Sequence, residues 1–379
     1  MSRPVINPFP GKKMDKLKVL IVDDSALYRK VLSDILAAFP EVELIGTASN
    51  GKMALERISK TLPDFITLDF EMPEMDGIQT LRELKNKYPS VKAVMVSAHT
   101  VEGAEVTMQA LEEGAFEFIA KPNTSNLGES KKELQAQLTT IVNTLFMKKS
   151  LSGVFRKNIS VPRPPPLTPP PVRPSAHSDI AAKMSRIMIG RCEIVGIGVS
   201  TGGPNALTHL VPRLPANFRV PVLIVQHMPP VFTAALADSL NKKSAVQVLE
   251  GVDGIQLKSG TVYIAPGGKQ MKVEKSGNST VLRITDDPPE NNCRPSVDYM
   301  FRSIASCYKG NSLGVIMTGM GADGVKGLAE MKKTGTKVIA QDEATCTVYG
   351  MPMEAVKSGV VDLVVPLDQI VDEIISAVR

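Results

Sequence analysis

Short apolar runs recur along the chain, and stretches with apolar residues at helical spacing separate them. A short continuous apolar run between such stretches reads as a buried strand. In the first half this pattern predicts strands at Lys18–Val22, Val42–Gly46, Phe65–Leu68, Ala93–Val96 and Phe116–Ala120. The last helical stretch, Lys131–Lys148, carries Leu134, Leu138, Ile141 and Leu145 on one face. Alternating strands and helices of this kind predict a doubly wound parallel sheet. The second half repeats the theme at larger size, with strands at Ile194–Val199, Val220–Gln226, Val262–Ala265, Gly314–Thr318, Lys337–Ala340 and Asp362–Val365. Met271–Lys275 and Thr280–Thr285 flank Ser276-Gly277-Asn278 and read as an antiparallel hairpin. The fold class is α/β.

Proline marks the boundary between the halves. Eight of the 28 prolines fall between Val161 and Pro174, in VPRPPPLTPPPVRP. Such a run cannot donate ladder hydrogen bonds and favours an extended helix of ~3.1 Å rise per residue, so it spans roughly 43 Å as a semi-rigid spacer. The division is a first domain over 18–135, a helix end and linker over 136–187, and a second domain over 188–379.

Composition narrows the function classes. The 379 residues are 43% hydrophobic and 22% charged, an ordinary globular balance. The net charge of +5 is concentrated near the linker, where Lys148, Lys149, Arg156, Lys157, Arg163 and Arg173 occur without an acid. There is no Trp, and no interleaving of aromatic and basic residues for base stacking. No apolar run approaches the ~18 residues of a membrane helix, and the N-terminus lacks a secretory h-region. The expectation is a cytoplasmic protein that neither inserts in a membrane nor binds nucleic acid. Cys192, Cys293, Cys307 and Cys346 are scattered without a CxxC pair and read as reduced thiols in or near the core.

Candidate chemistry lies where the strands end, since doubly wound sheets bind ligands at their carboxyl edge. In the first half these ends place Asp23-Asp24, Asp69, Ser97 and Lys121. Clustered carboxylates repel unless a cation sits among them, and oxygen-only ligands suit Mg²⁺. A lone Asp24 or Asp69 reads more readily as a helix cap. Four strand ends agreeing points instead to phosphoryl chemistry on a carboxylate.

This constellation, with LDFEMPEMDG after the third strand, resembles a response-regulator receiver domain over about Lys18–Gln135, a flavodoxin-like fold. The resemblance implies that Asp69 is the phosphoacceptor and that Asp23, Asp24, Asp69 and the Glu71 backbone carbonyl hold Mg²⁺. Ser97 and Lys121 would bind the phosphoryl oxygens, and Phe118 would be the aromatic switch position.

The second half opens with Gly198-Val199-Ser200-Thr201-Gly202, a G-x-S-x-G turn of the kind that exposes a serine. Its glycines also suit a dinucleotide-binding turn, but the next strand ends in Gln226-His227-Met228 without the acid that would bind a ribose. A serine nucleophile needs a base and an orienting acid. His99 lies in the first half and His177 in the linker. His209 falls roughly 9–13 Å down the helix after Ser200 at ~1.5 Å per residue. His227 remains, at the same sheet edge as Ser200. Asp323 follows the strand Gly314–Thr318, either as an N-cap of a helix Gly324–Lys333 or as the third member of a triad. The chain order Ser, His, Asp differs from the Ser, Asp, His of α/β-hydrolases, so the scaffold is a different, Rossmann-like one.

GVSTGGP, QHMPPVFT, YIAPGG, RPSVD, TGMGADG and QDEATCTVYGMP resemble the chemotaxis protein-glutamate methylesterase catalytic domain over about Ile189–Arg379. The resemblance implies catalysis by Ser200, His227 and Asp323, support of the histidine by Thr201, and an oxyanion site formed in part by backbone amides around Met320. It implies no cofactor there. It further implies a hydrolase, activated by phosphorylation, that demethylates glutamate methyl esters and deamidates glutamines on methyl-accepting chemoreceptors. A chemotaxis histidine kinase would be the phosphodonor. The alternative is a phosphorylation-switched receptor-binding module without catalysis. A DNA-binding output is set aside because no helix-turn-helix with a basic face is visible.

Overall fold

The computed structural model describes residues 15–98, 100–122, 127–157, 192–277 and 279–378. His99, His177, Asn278 and the proline-rich run lie outside the described residues. The N-terminal half is a five-stranded parallel sheet of β1 (Leu17–Val22), β2 (Val42–Ala48), β3 (Phe65–Asp69), β4 (Lys92–Ser97) and β5 (Glu117–Ala120), in the order β2-β1-β3-β4-β5. Helices α1 (Ala26–Leu36), α2 (Gly51–Lys60), α3 (Gly77–Lys87), α4 (Val101–Glu112) and α5 (Leu127–Lys157) connect and follow the strands. The last of these begins earlier and runs further than the apolar stripe over Lys131–Lys148 suggests.

The helix starts follow local chemistry. The side chains of Ser25, Asn50 and Thr100 each accept a hydrogen bond from a backbone N–H in the first turn of α1, α2 and α4. Asp76 and Gln79 close a reciprocal capping box at the start of α3. These caps leave Asp24 and Asp69 uncommitted to capping.

The C-terminal half is a seven-stranded parallel sheet. It comprises β6 (Ile194–Val199), β7 (Val222–Gln226), β8 (Gln247–Glu250), β9 (Thr261–Ile264), β12 (Ser312–Ile316), β13 (Lys337–Gln341) and β14 (Leu363–Val365). Their order is β14-β13-β12-β6-β7-β9-β8. The expected hairpin forms a separate two-stranded sheet, β10 (Gln270–Ser276) with β11 (Ser279–Thr285). Strand β8 is an addition to the sequence reading. Its Gln247 and Leu249 point outward at the sheet edge, so it shows no continuous apolar run. The helices here are α6 (Gly203–Leu210), α7 (Phe232–Lys243), α8 (Val297–Tyr308), α9 (Val325–Lys333), α10 (Met351–Lys357) and α11 (Leu367–Val378).

Strand β6 starts the second domain yet lies in the middle of its sheet. The chain leaves it for β7 on one side and returns to β12 on the other, which creates a crevice at the carboxyl ends of these three strands. Two glycines of β6 let helix α8 lie close against that strand. A Cβ added at Gly198 would sit 2.3 Å from Val297 Cγ1, and one at Gly196 would sit 2.7 Å from Ile304 Cδ1. Beneath α8, Phe301, Ile304, Leu328 and Met331 form a cluster with no exposed surface.

The two halves share an apolar core. Ala104, Met108, Leu111 and Phe118 from the first belong to the same cluster as Ala206, Leu207, Phe232 and Ala235 from the second. The Phe118 and Phe232 rings stack with centroids 4.6 Å apart. Helix α4 packs on α7 and α6.

Substituting Gly198→Ala should force α8 away from β6 and destabilise the protein by ~1–3 kcal/mol. Denaturant unfolding of the full-length variant against wild type measures this, and an unchanged midpoint would refute the close-packing argument.

Candidate active site

The crevice between β12, β6 and β7 collects the three residues expected of a triad. Ser200 follows β6, His227 follows β7, and Asp323 lies in the loop after β12. Gly202 is in the left-handed region at φ 75°, and a Cβ there would meet Thr347 at 2.3 Å. Glycine at this point permits the sharp turn from β6 into α6. The Gln226 side chain ties the two strand ends together, donating to the Ser200 carbonyl at 3.0 Å and the His227 carbonyl at 3.2 Å.

Asp323 is the most constrained of the three. It is buried, and one oxygen accepts from Asn291 Nδ2 (2.7 Å), Ser296 Oγ (2.9 Å), and the amides of Asp298 (3.2 Å) and Gly324 (3.1 Å). The other accepts from the Val297 amide at 2.7 Å and faces His227 Nε2 at 2.8 Å. Burial disfavours the charge on Asp323, but His227, the Val297 amide and Asn291 outweigh it and hold the pKa at about 2. An ionised carboxylate only accepts hydrogen bonds, so Nε2 of His227 carries a proton. Burial also disfavours the imidazolium. The bond to Asp323, with a contribution from Cys293, overrides it and raises His227 to about 9.

The remaining ring nitrogen, Nδ1, lies 3.8 Å from Cys293 Sγ. Among the described residues no hydrogen bond joins it to Ser200 Oγ. A cavity of about 460 Å³ spans Ser200, Thr201, His227 and Cys293. Its opposite wall is Glu117, Phe118 and Gln137 of the N-terminal half. Asn205 donates to the Ala115 carbonyl at 3.2 Å, Ser239 to Glu112 at 2.7 Å, and Lys243 pairs with Glu112. Glu117 accepts from the Gly202 amide at 3.1 Å, and its burial pushes its pKa up to about 7.

Two expected support residues stand differently. The Thr201 carbonyl accepts from Thr318 Oγ1 at 2.9 Å, while among the described residues its side chain makes no hydrogen bond to His227. Met320 is 40% exposed, beyond Gly319, whose added Cβ would sit 2.8 Å from Ser200 Cβ. The loop carrying Met320 therefore passes directly beside the serine. His209 ends helix α6 on an exposed face, apart from the crevice. Asn291, Ser296 and Glu117 are site residues that the strand-end argument did not single out. Ser296 alone carried a signal, as part of RPSVD.

A second cluster lies at the carboxyl edge of the first sheet. Lys121 Nζ bonds Asp69 Oδ2 at 2.8 Å and approaches Asp23 Oδ2 at 3.6 Å. Asp23 is buried, and that burial with the neighbouring Asp69 raises its pKa to about 6. Oxygens of Asp23, Asp24 and Asp69 fall within 4.8 Å of one another, and Asp23 Oδ2 has no hydrogen-bond partner. This is a donor set that fits Mg²⁺: oxygens only, a buried atom lacking a donor, and Asp24 exposed to water. Glu71 is exposed beside it. Ser97 Oγ is turned away from the acids and donates to the Gly103 carbonyl at 2.9 Å, inside α4.

Comparison with known proteins finds two families along the chain. The family described as CheB methylesterase matches residues 195–374, and the response regulator receiver domain family matches 19–131. A protein-glutamate methylesterase/protein-glutamine glutaminase of Desulfotalea psychrophila is 49% identical over 97% of this chain and 100% of its own length. Its namesake in Bacillus subtilis is 43% identical over 96% and 99%. The CheB methylesterase catalytic domain of Thermotoga maritima, a crystal structure, is 42% identical with a TM-score of 0.48, covering 48% of this chain and 97% of that one. On the full-length relationships, the chain belongs to the protein-glutamate methylesterase/protein-glutamine glutaminase family, with a receiver domain joined to a CheB methylesterase domain.

Proposed function

We propose that the protein hydrolyses glutamate methyl esters, and deamidates particular glutamines, on methyl-accepting chemoreceptors, and that phosphorylation of Asp69 releases this activity. The observation that carries the reading is the buried Asp323–His227 pair beside Ser200, in a cavity whose far wall is the receiver.

Asp323 fixes the tautomer, so Nδ1 of His227 holds the lone pair that takes the Ser200 proton. Ser200 Oγ bonds to the ester carbonyl carbon, the bond to methoxide breaks, and His227 returns the proton to give methanol. Water then repeats the cycle on the acyl-serine and frees the carboxylate. With glutamine the leaving group is ammonia. Among the described residues the Met320 amide has no hydrogen-bond partner, which suits it to the oxyanion. The Ser200–His227 contact closes when substrate enters, as is common for catalytic pairs that are loose without substrate.

The receiver controls entry. Asp23, Asp24, Asp69 and the Glu71 carbonyl would hold Mg²⁺, which supplies charge neutralisation for transfer of a phosphoryl group from a histidine kinase. Phosphorylation puts a dianion on Asp69, next to Lys121. Ser97 then has a stronger acceptor than the Gly103 carbonyl, and losing that bond frees the start of α4. Helix α4 and Phe118 are the apolar contact on α6 and α7, so the closed arrangement is weakened where it is held. No described helix is long and apolar enough to cross a membrane.

Methanol release from methyl-labelled receptor membranes tests the reading. Wild type should release methanol faster with Mg²⁺ and a small phosphodonor, and Ser200→Ala should fall to background. Equal rates from both proteins on a cognate receptor would leave a binding module without catalysis. The acid limb of kcat/KM should lie above the ordinary imidazole value of 6.5, because His227 must be neutral to act and its pKa is raised. Activity should therefore climb from neutral pH toward about 9, and Asp323→Asn should move that limb downward while cutting the rate. An unshifted limb in Asp323→Asn would refute the assigned cause. Phe118→Ala should raise the rate without phosphodonor roughly 10-fold, the loss of about 1.4 kcal/mol of ring stacking and burial. An unchanged basal rate would show that this stack does not hold the closed state.

A further inference from the structure

Cys293 lies on the pocket side of His227, against the nitrogen that Asp323 leaves free. It sits on a stiff turn. Asn291 and Asn292 occupy the left-handed region at φ 53° and 60°, and Glu290 and Cys293 exchange both backbone hydrogen bonds at 3.1 and 2.8 Å. Arg302 clamps Glu290 in bidentate fashion at 2.6 and 2.5 Å. The thiol is therefore held in position rather than swinging on a free loop.

We propose that Cys293 Sγ and His227 Nδ1 form a binding site for a borderline-soft divalent cation of the Zn²⁺ class, and that its occupation shuts the esterase off. Three observations support the site. A tetrahedral Zn²⁺ with bonds of about 2.1 Å to nitrogen and 2.3 Å to sulfur places these donors roughly 3.6 Å apart. The observed separation is 3.8 Å. Metal-binding histidines characteristically donate their other ring N–H to a carboxylate, which orients the ring and strengthens the donor nitrogen. Asp323 provides this at 2.8 Å. Ser200 lines the same cavity, which is open to solvent and has room for water to complete four ligands. Asp323 itself, saturated by its own donors, is the orienting group rather than a ligand. Binding replaces the thiol proton and any proton held on Nδ1, both of which leave as H⁺, and no electron transfer is involved. The cation takes the lone pair that Ser200 needs, so catalysis stops while the ion remains. Sulfur and imidazole together select such ions over Mg²⁺. The receiver's all-oxygen pocket has the opposite preference, so one chain answers two classes of divalent ion with opposite effects on output.

The inhibition rests on the esterase reading, but the binding does not, and the experiment separates them. Reduced full-length protein in excess Mg²⁺ is titrated with Co²⁺, and the near-ultraviolet thiolate-to-cobalt absorption is followed. One equivalent should give the band. Cys293→Ser should lose it, and His227→Ala should weaken Co²⁺ binding at least ~10-fold. Zn²⁺ should displace Co²⁺, shield Cys293 of the wild type from iodoacetamide as read by mass spectrometry, and slow methanol release at least ~10-fold until a chelator is added. Absence of the band in wild type, its persistence in Cys293→Ser, or alkylation of Cys293 unaffected by Zn²⁺ would each overturn the proposal. The alkylation arm decides even if a variant fails to fold. A band without any Ser200-dependent methanol release would keep the metal site and sink the esterase reading.

Discussion

A single carboxylate organises the catalytic half of the molecule. Asp323 is buried, and a buried charge is tolerated only when its surroundings supply enough donors. Here they come from four separate places: the turn at Asn291, the start of α8 at Ser296 to Asp298, the adjacent Gly324, and His227. None can move far without leaving the charge exposed to an apolar interior. The imidazole is thus held by a group that cannot relax around it, and its orientation is set before any substrate arrives.

The glycines of β6 belong to the same constraint. They have no catalytic chemistry, yet Gly198 and Gly196 determine how near α8 comes to the sheet, and α8 brings the Val297 and Asp298 amides to Asp323. The pentapeptide around Ser200 therefore has two structural duties. Gly202 permits the turn, and Gly198 admits the helix that positions the far end of the hydrogen-bonded chain.

Strand ends were legible in the sequence because buried parallel strands are continuous apolar runs, and the polar residue terminating each run falls at one sheet edge. Asp23, Asp24, Asp69, Ser97 and Lys121 read as candidates this way, while Ser200 stands out by its G-x-S-x-G turn and His227 by elimination among the histidines. Asp323, further into its loop, needed the chemistry of a triad as well. Glu117 was not legible. It reads as an ordinary polar residue on a short strand, and its partner amide at Gly202 belongs to the other domain. Asn291 was hidden for a different reason: its role depends on a left-handed turn that no periodicity announces. Cys293 was read as one of four unremarkable thiols, since its neighbour in space is 66 residues away in sequence. Strand β8 escaped because an edge strand alternates where a central one does not.

The shared core of the two halves has a thermal consequence. Alanines, leucines and stacked phenylalanine rings dominate the contact between α4, α6 and α7, with Glu112 and Lys243 at its margin. Apolar association draws its strength from the release of water, and that driving force fades on cooling. The contact between the halves is thus weaker in the cold, and under the proposed gating that loosening would oppose the slowing of the chemical step.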